Sequence, residues 1–287
     1  MRTERSNMKS KRAQLFRMVG GHLYSLKHWS AVSRLVVCGL SGLLLIACAT
    51  EKKDFMTSAR ELESRTLFAP AMKQYEEAIE ENPNNAEAYY RIGALANEIG
   101  NTEFAAQKFR QALNIDANHP GAKRALSTYH INRGTIARQQ GRLSTARSEL
   151  QAAVGVDPGS SVAQLELGRV HEAEGSLDRA LHAYIASAEA DPHNIDTQLA
   201  LGQSYLAQKQ YAEAETALKA VLDANPDRAE AYTGLGEAYF HQGKKQAARQ
   251  SFEQAIRHYL LAGRRDLAKQ VQEKADALFP PASDTKK

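Results

Sequence analysis

The sequence predicts an all-α fold, a solenoid built of stacked helical hairpins, because three residue types recur at an interval of 34 positions. The recurring residues are proline at Pro158, Pro192 and Pro226; glycine at Gly134, Gly168, Gly202 and Gly236; and alanine at Ala146, Ala180, Ala214 and Ala248. A hairpin of this size cannot bury its apolar face alone, so neighbouring hairpins must stack to form a continuous core. Such folds offer long surfaces to other proteins.

One complete period, 229–262, shows why each residue type recurs. Tyr232, Leu235 and Tyr239 fall on one face of a first helix, since residues three and four apart are neighbours there. Gly236 is small where two helices approach closely, and proline at the end of other periods stops the second helix because it lacks an amide hydrogen. With Tyr232 at the first position, these residues follow the W-x2-L-G-x2-Y pattern and so resemble the tetratricopeptide repeat (TPR). That resemblance implies a right-handed superhelical solenoid.

The resemblance divides the chain into repeats within residues 55–262. Their periods are 52–85, 86–119, 127–160, 161–194, 195–228 and 229–262. Lys209 replaces the usual turn glycine of the fifth repeat. Residues 263–280 are expected to form one more amphipathic helix that caps the solenoid, followed by a disordered tail, 281–287.

The interval between the second and third repeats is longer than the others. Gly93 and Gly134 are 41 residues apart, seven more than the period, and the additional residues lie near 120–126. Seven residues at 100° each come to roughly 700°, about 20° short of two full turns. The insertion therefore either lengthens the first helix of repeat three, with Pro120 at its start, or forms a longer connecting loop.

The N-terminal segment predicts export and lipidation. Residues 35–47 form an apolar run of 13 after a basic start, too short to span a bilayer but suited to a secretory signal. The run ends at Leu45, Ile46, Ala47 and Cys48, which resembles the lipobox of bacterial lipoproteins. That resemblance implies a signal peptide, 1–47, and an acylated mature N-terminus at Cys48. Translation could begin at Met1 or at a later methionine, position 8 or 18.

Removal of this signal changes the charge of the chain. Residues 1–47 contain eight of the 37 Lys and Arg residues and one of the 33 Asp and Glu residues. The mature chain therefore has 29 basic and 32 acidic residues, a net charge of −3. The mature chain then lacks the basic excess of a nucleic-acid-binding protein. It also keeps only one cysteine, the acylated one, and it loses Trp29, the single tryptophan.

The residue after the cysteine, Ala49, is not the Asp that retains lipoproteins at the inner membrane of enteric bacteria. The resemblance to lipoproteins therefore implies the outer membrane, with the protein facing the periplasm, more than the inner membrane. The tether, 48–54, is short, so the repeats would be held close to the bilayer.

Residues with catalytic or metal-binding spacing are lacking in the sequence. His171-Glu172 has no second histidine to complete H-E-x-x-H, and there is no G-x-S-x-G, phosphate-binding loop or cysteine pair. His171 stands where TPR repeats usually carry Tyr, which favours a hydrogen-bonded packing role. We therefore expect neither an enzyme nor a protein that requires a cofactor or a metal.

TPR proteins bind partners with side chains of their first helices, at positions 2, 5, 9, 12 and 13, and this implies a protein-binding groove here. The groove residues are Tyr90, Asn97, Ile131, Thr135, Arg138, Leu165, Arg169, Leu199, Gln203, Leu206, Glu237 and Phe240. Arg138 and Arg169 are expected to pair with a partner's carboxylate, and Leu199, Leu206 and Phe240 to provide an apolar patch.

These features together indicate a lipid-anchored scaffold that positions proteins of an envelope assembly. The chain is similar to the TPR lipoproteins of type IV and Flp (Tad) pilus biogenesis. Two alternatives remain open at this point, an adaptor that recruits a peptidoglycan hydrolase or protease and a component of polysaccharide export, because the fold supports all three.

Overall fold

The computed structural model describes residues 54–280, and in this range all regular structure is helical. The helices are α1 (Phe55–Ser64), α2 (Phe68–Glu81), α3 (Ala86–Glu98), α4 (Thr102–Ile115), α5 (Pro120–Gln139), α6 (Leu143–Val156), α7 (Ser161–Ala173), α8 (Leu177–Ala190), α9 (Ile195–Ala207), α10 (Tyr211–Ala224), α11 (Ala229–His241), α12 (Lys245–Leu261) and α13 (Arg265–Leu278). The predicted signal peptide, Cys48 and the C-terminal tail lie outside the described residues.

The helices form six consecutive hairpins, α1–α2 to α11–α12, followed by α13. The two helices of a hairpin pack on each other, and the second helix packs on the first helix of the next hairpin. Contacts therefore run within hairpins and between adjacent hairpins along residues 54–280. This is the solenoid that the 34-residue interval predicts.

Helix ends follow from local chemistry. The side chain of Asn194 accepts a hydrogen bond from the Thr197 amide at 3.1 Å and so caps the start of α9. Helices α6, α8 and α10 end two residues before the three recurring prolines. At the turn after α9, Lys209 adopts a φ of 60°, whereas Gly243 has a φ of 78° at the same place in the last hairpin. Lysine thus occupies a left-handed conformation that glycine adopts more easily.

A glycine lies at the closest approach of the two helices in most hairpins. A Cβ on Gly168 of α7 would lie 2.4 Å from Cε1 of Tyr184 on α8, far inside van der Waals contact. The same arrangement recurs at Gly93 with Phe109, Gly134 with Leu150, Gly202 with Leu218 and Gly236 with Phe252. The small residue permits the large one to be fully buried, as Tyr184 is.

The seven additional residues lengthen a helix. Helix α5 is continuous over 20 residues and has Pro120 at its start, whereas α3, α7, α9 and α11 each have 13. Ala122 and Leu126 of the extension are buried, because a whole-turn insertion keeps the packing face of the helix nearly in register. Of the two sequence interpretations, the longer helix is confirmed and the longer loop is wrong.

The last helix packs on the sixth hairpin. Ala268 and Val271 of α13 are buried in a cluster with Phe252 and Tyr259 of α12. The partly buried apolar residues around this cluster are Tyr232, Ile256, Leu267, Ala275, Leu278 and Phe279. Helix α13 thereby shields apolar surface that a seventh hairpin would cover in a longer array.

Candidate protein-binding face

The first helices of the hairpins form one side of the solenoid. Three pairs of successive first helices, α3 with α5, α5 with α7 and α9 with α11, contact each other directly, whereas second helices of successive hairpins make at most slight contact. Helices that lie closer together line the inner side of a curved array. The predicted groove residues all belong to first helices, so this inner side is the candidate protein-binding face.

Near the N-terminal end of this face, Tyr90 is largely covered by the chain itself. Its ring lies 5.0 Å from that of His119 and 5.9 Å from that of Phe109, measured between centroids. A Cβ on Gly121 would lie 2.6 Å from Cζ of Tyr90. The extended start of α5 therefore packs against this tyrosine, while Asn97, two turns further along α3, is exposed.

His119 is also part of a polar chain between hairpins. Its Nε2 lies 3.0 Å from Oε2 of Glu87, whose other carboxylate oxygen accepts a hydrogen bond from Arg91 at 2.6 Å. Burial by itself raises the pKa of Glu87, but the hydrogen bonds with Arg91 and His119 outweigh it and hold the pKa below its usual value. Arg91 also lies 3.4 Å from Glu63 of the first hairpin. The first three hairpins are thus linked by side-chain polar contacts as well as by packing.

At the centre of the face, Arg138 and Arg169 converge as predicted, but on a residue of this chain. Arg138 lies 3.2 Å and Arg169 2.5 Å from the two carboxylate oxygens of Glu166. Glu166 is only 7 % exposed. A buried internal carboxylate therefore already neutralises part of the charge of both arginines, and their pairing with a partner's carboxylate stays a prediction.

The remaining central residues divide by exposure. Leu165 and Leu199 are 4 % and 8 % exposed and belong to core clusters, so they are not part of an accessible apolar patch. Both side chains are buried in the core because the next hairpin packs over them. Gln203 is exposed, and the half-buried residues are Ile131, Thr135 and Leu206.

At the C-terminal end, the two predicted groove residues contact α13 and the residue after it. The rings of Phe240 and Phe279 meet edge to face at a centroid distance of 5.4 Å, and Lys274 forms an ion pair with Glu237. The guanidinium of Arg249 lies 4.6 Å from the centroid of Phe279. The C-terminal end of the chain therefore contacts Glu237 and Phe240, the two side chains that the sequence analysis assigned to a binding partner.

Two histidines of the first helices, His171 and His241, have packing partners. His171 is buried, and its Nδ1 lies 3.3 Å from Oε2 of Glu174, while His241 stacks on Tyr211. Within residues 54–280 no group of three or more His, Cys, Asp or Glu side chains could hold a metal ion. None of the helices in that range combines the length and the apolar character needed to cross a bilayer.

A crevice between the second and third hairpins was not predicted from the sequence. It has a volume of about 710 Å³ and lies between α3–α4 and α5–α6, with Tyr90 and Asn97 on one side and Ile136 on the other. One sequence signal could have found it. The residue before the recurring glycine is Ile92, Leu167, Leu201 or Leu235 in other repeats but Arg133 in the third, so a polar group stands where the pattern requires an apolar one.

Comparisons with known proteins identify the same repeat. A family model described as tetratricopeptide repeat matches residues 131–195 and 199–279, a second matches 173–223 and a third 74–107. The solved structure of YrrB, described as a TPR protein with an unusual peptide-binding site, is 19% identical with a TM-score of 0.51, and the match covers 69% of this chain and 97% of that one.

Two further solved structures have similar identity. The C-terminal part of a TPR repeat-containing protein from Cytophaga hutchinsonii is 19% identical with a TM-score of 0.46, over 78% of this chain and 92% of that one. Pseudomonas aeruginosa pilF is 16% identical with a TM-score of 0.46, over 77% and 96%. At 19% identity the likeness to YrrB is one of fold.

Proposed function

The chain belongs to the tetratricopeptide repeat family, and on that premise we propose that it is a lipid-anchored scaffold that binds proteins of an envelope assembly, a pilus or a secretion system, on its inner face. The observation that carries this proposal is the inner face itself. The first helices of the second and fifth hairpins present the exposed polar residues Asn97 and Gln203, and Leu206, on the same helix as Gln203, is half-buried. A face that mixes polar and apolar groups over several hairpins suits an extended partner segment.

The proposed location rests on the N-terminal sequence. The lipobox-like Leu45–Cys48 follows an apolar run of 13 residues, and Ala49 comes after the cysteine. We infer that Cys48 carries the lipid and that the protein faces the periplasm from the outer membrane. The six residues 48–53 that precede the N-cap of α1 would span at most about 20 Å, so the inner face would be presented close to the bilayer.

Lipidation is tested by replacing Cys48 with Ser. The wild-type protein should incorporate labelled palmitate and sediment with outer membranes, and C48S should do neither. Cleavage before Cys48 also removes Trp29, the single tryptophan, so mature protein should show no tryptophan emission. Membrane-purified protein that retains this emission contradicts the cleavage.

Partner binding is tested by site-specific photo-crosslinking in cells. A photoreactive amino acid at Gln203 samples the inner face, and the same group at Glu213, exposed on second helix α10, is the matched control. We expect the Gln203 probe to capture secretin or pilus-assembly proteins and the Glu213 probe to capture none. Capture of a peptidoglycan hydrolase instead would favour the adaptor function, and equal capture from both positions would contradict an inner-face site.

A further inference from the structure

The crevice between the second and third hairpins has two structural causes. The extension of α5 carries Gly121 and Ala125 across Tyr90 and forms one wall. The second cause is Arg133, a charged residue at a position where other repeats pack a leucine or an isoleucine. Both features belong to the third repeat, so a crevice of this size is not a consequence of the repeat pattern alone.

The floor of the crevice is apolar. Phe109 is 3 % exposed and lies beneath Tyr90, and Ala137 is buried on the opposite side. Ile136, by contrast, is 51 % exposed although it is a large aliphatic residue at the crevice. An exposed isoleucine is a favourable contact for an apolar side chain from another molecule.

The carboxylates of the crevice are already engaged within the chain. Glu103 receives hydrogen bonds from Arg133 at 2.8 Å and from the hydroxyl of Tyr129 at 2.7 Å, one at each oxygen. Glu149 lies 2.9 Å from Nε of Arg133 at one oxygen and 2.7 Å from Nδ1 of His130 at the other. All four carboxylate oxygens thus have a partner, and Arg133 is shared between both acids.

Two further arginines of the crevice have no acidic partner. Within residues 54–280, Arg124 forms neither a hydrogen bond nor an ion pair through its side chain, and Arg142 bonds only to the neutral amide of Gln140. Arg124 is near the start of α5, and Arg142 follows its end. Fifteen residues of helix separate position 124 from the last residue of α5, so position 124 lies on the order of 22 Å along the helix axis from the end that Arg142 follows.

From this arrangement we propose that the crevice binds an extended, acidic peptide segment of a partner protein. The segment places one carboxylate at Arg124, a second carboxylate at Arg142, and an apolar side chain against the crevice lining between them. An extended chain covers about 3.3–3.6 Å per residue, so the two acidic residues are about six positions apart. This proposal rests on the proposed scaffold function and specifies the chemistry of the segment that the scaffold recognises.

The test uses purified full-length protein and two fluorescein-labelled peptides with blocked termini. The acidic probe is Asp-Gly-Ala-Phe-Ala-Gly-Asp, and the matched amide probe is Asn-Gly-Ala-Phe-Ala-Gly-Asn. Fluorescence polarisation should show that the acidic probe binds at least about 10-fold more tightly, because two carboxylates meet unpaired guanidinium groups. Added salt should reduce that difference. Equal binding of both probes, or no saturable binding of the acidic one, overturns the proposal.

Matched variants locate the site. Thr128 is an exposed residue of the crevice whose hydroxyl donates to the carbonyl of Arg124 at 2.8 Å, and Thr216 on α10 donates in the same way to Ala212 at 3.1 Å. T128W should fill the crevice and weaken the acidic probe at least about 10-fold, whereas T216W should change it less than about 2-fold. A similar effect from both substitutions contradicts the assignment, with circular dichroism as the folding control.

Charge reversal gives an independent comparison. R124E should weaken the acidic probe and leave the amide probe nearly unchanged, and R179E, at an exposed position of α8 outside the crevice, should affect neither. Loss of peptide binding by R179E alone would refute the site. These measurements need no cellular partner. If the acidic probe does not bind but the Gln203 cross-link persists, the crevice proposal fails and the scaffold function stands. If the acidic probe binds but no cross-link forms at Gln203, only the cellular role of the scaffold is refuted.

Discussion

The close approach of Gly168 to Tyr184 makes a quantitative prediction about G168A. The new Cβ would lie 2.4 Å from Cε1 and 2.5 Å from Cδ1 of the tyrosine ring, whereas ordinary contact begins at 3.4 Å. The ring must therefore move by roughly 1 Å in a close-packed interior. It has little freedom to do so, because Tyr184 is fully buried and its hydroxyl donates to Glu172 at 2.7 Å.

Two opposing contributions decide the free energy of unfolding of this variant. Overpacking a well-packed core costs about 1–3 kcal/mol, and replacing glycine by alanine within a helix gains up to about 1 kcal/mol. Since the tyrosine is held at both ends, we expect the cost to be near its upper value and the net loss to be about 2 kcal/mol. Gly155, near the end of α6, has open space at its Cβ position, so G155A should gain about 0.5–1 kcal/mol.

Urea unfolding followed by far-ultraviolet circular dichroism measures both variants against wild type, and hydrogen exchange shows where protection changes. For G168A the loss of protection should begin in α7 and α8 and reach their neighbours first, because repeats are coupled to adjacent repeats. If G168A unfolds at the same urea concentration as G155A, the tyrosine ring is not confined and the packing argument fails. Equal loss of protection in α1 and α2 would contradict the nearest-neighbour coupling.

Three other predictions concern single side chains. Hydrogen bonds from Lys219, opposed by burial and reinforced by Lys244, hold the pKa of Glu215 at about 2 instead of 4.5. The stabilising contribution of this carboxylate should therefore be complete above pH 4.5 and disappear as the pH falls toward 2. The difference in unfolding free energy between wild type and E215Q should close over that interval. K209G should stabilise by about 1 kcal/mol because Lys209 has a φ of 60°, and an unchanged urea midpoint would show that the turn carries no strain. F279A removes the contacts with Phe240 and Arg249, so hydrogen exchange should increase in α13, and unchanged exchange there would show that these contacts do not hold the last helix.

The helical hairpins could be predicted from the sequence because their determinants are local and periodic. A residue such as Gly168 marks a helix crossing, and a proline such as Pro192 marks the end of a helix, whatever lies further along the chain. Because these determinants recur in each period, the helix boundaries worked out for one period also predict those of the others. Even the length of the insertion indicated an unrotated helix, although sequence alone did not decide between helix and loop.

The candidate site was less predictable because its state depends on contacts between repeats. Arg138 and Arg169 were placed correctly on first helices, but their shared partner, Glu166, is 28 residues from the first of them. Phe240 was assigned to a partner although Phe279, 39 positions later, already meets it. A repeat pattern specifies which face a side chain occupies. Which neighbour neutralises or covers that side chain depends on the particular residues of two hairpins at once.

The extension of α5 also bears on how such a chain can change in length over evolution. Helix α5 has 20 residues where its counterparts have 13, a difference that leaves the apolar face only about 20° out of phase. An insertion of two or five residues at the same place would turn that face by well over 100° relative to its neighbours and expose it. Insertions and deletions in the helices of this array should therefore survive selection mainly in lengths near four, seven or eleven residues, whereas connecting loops are free of that restriction.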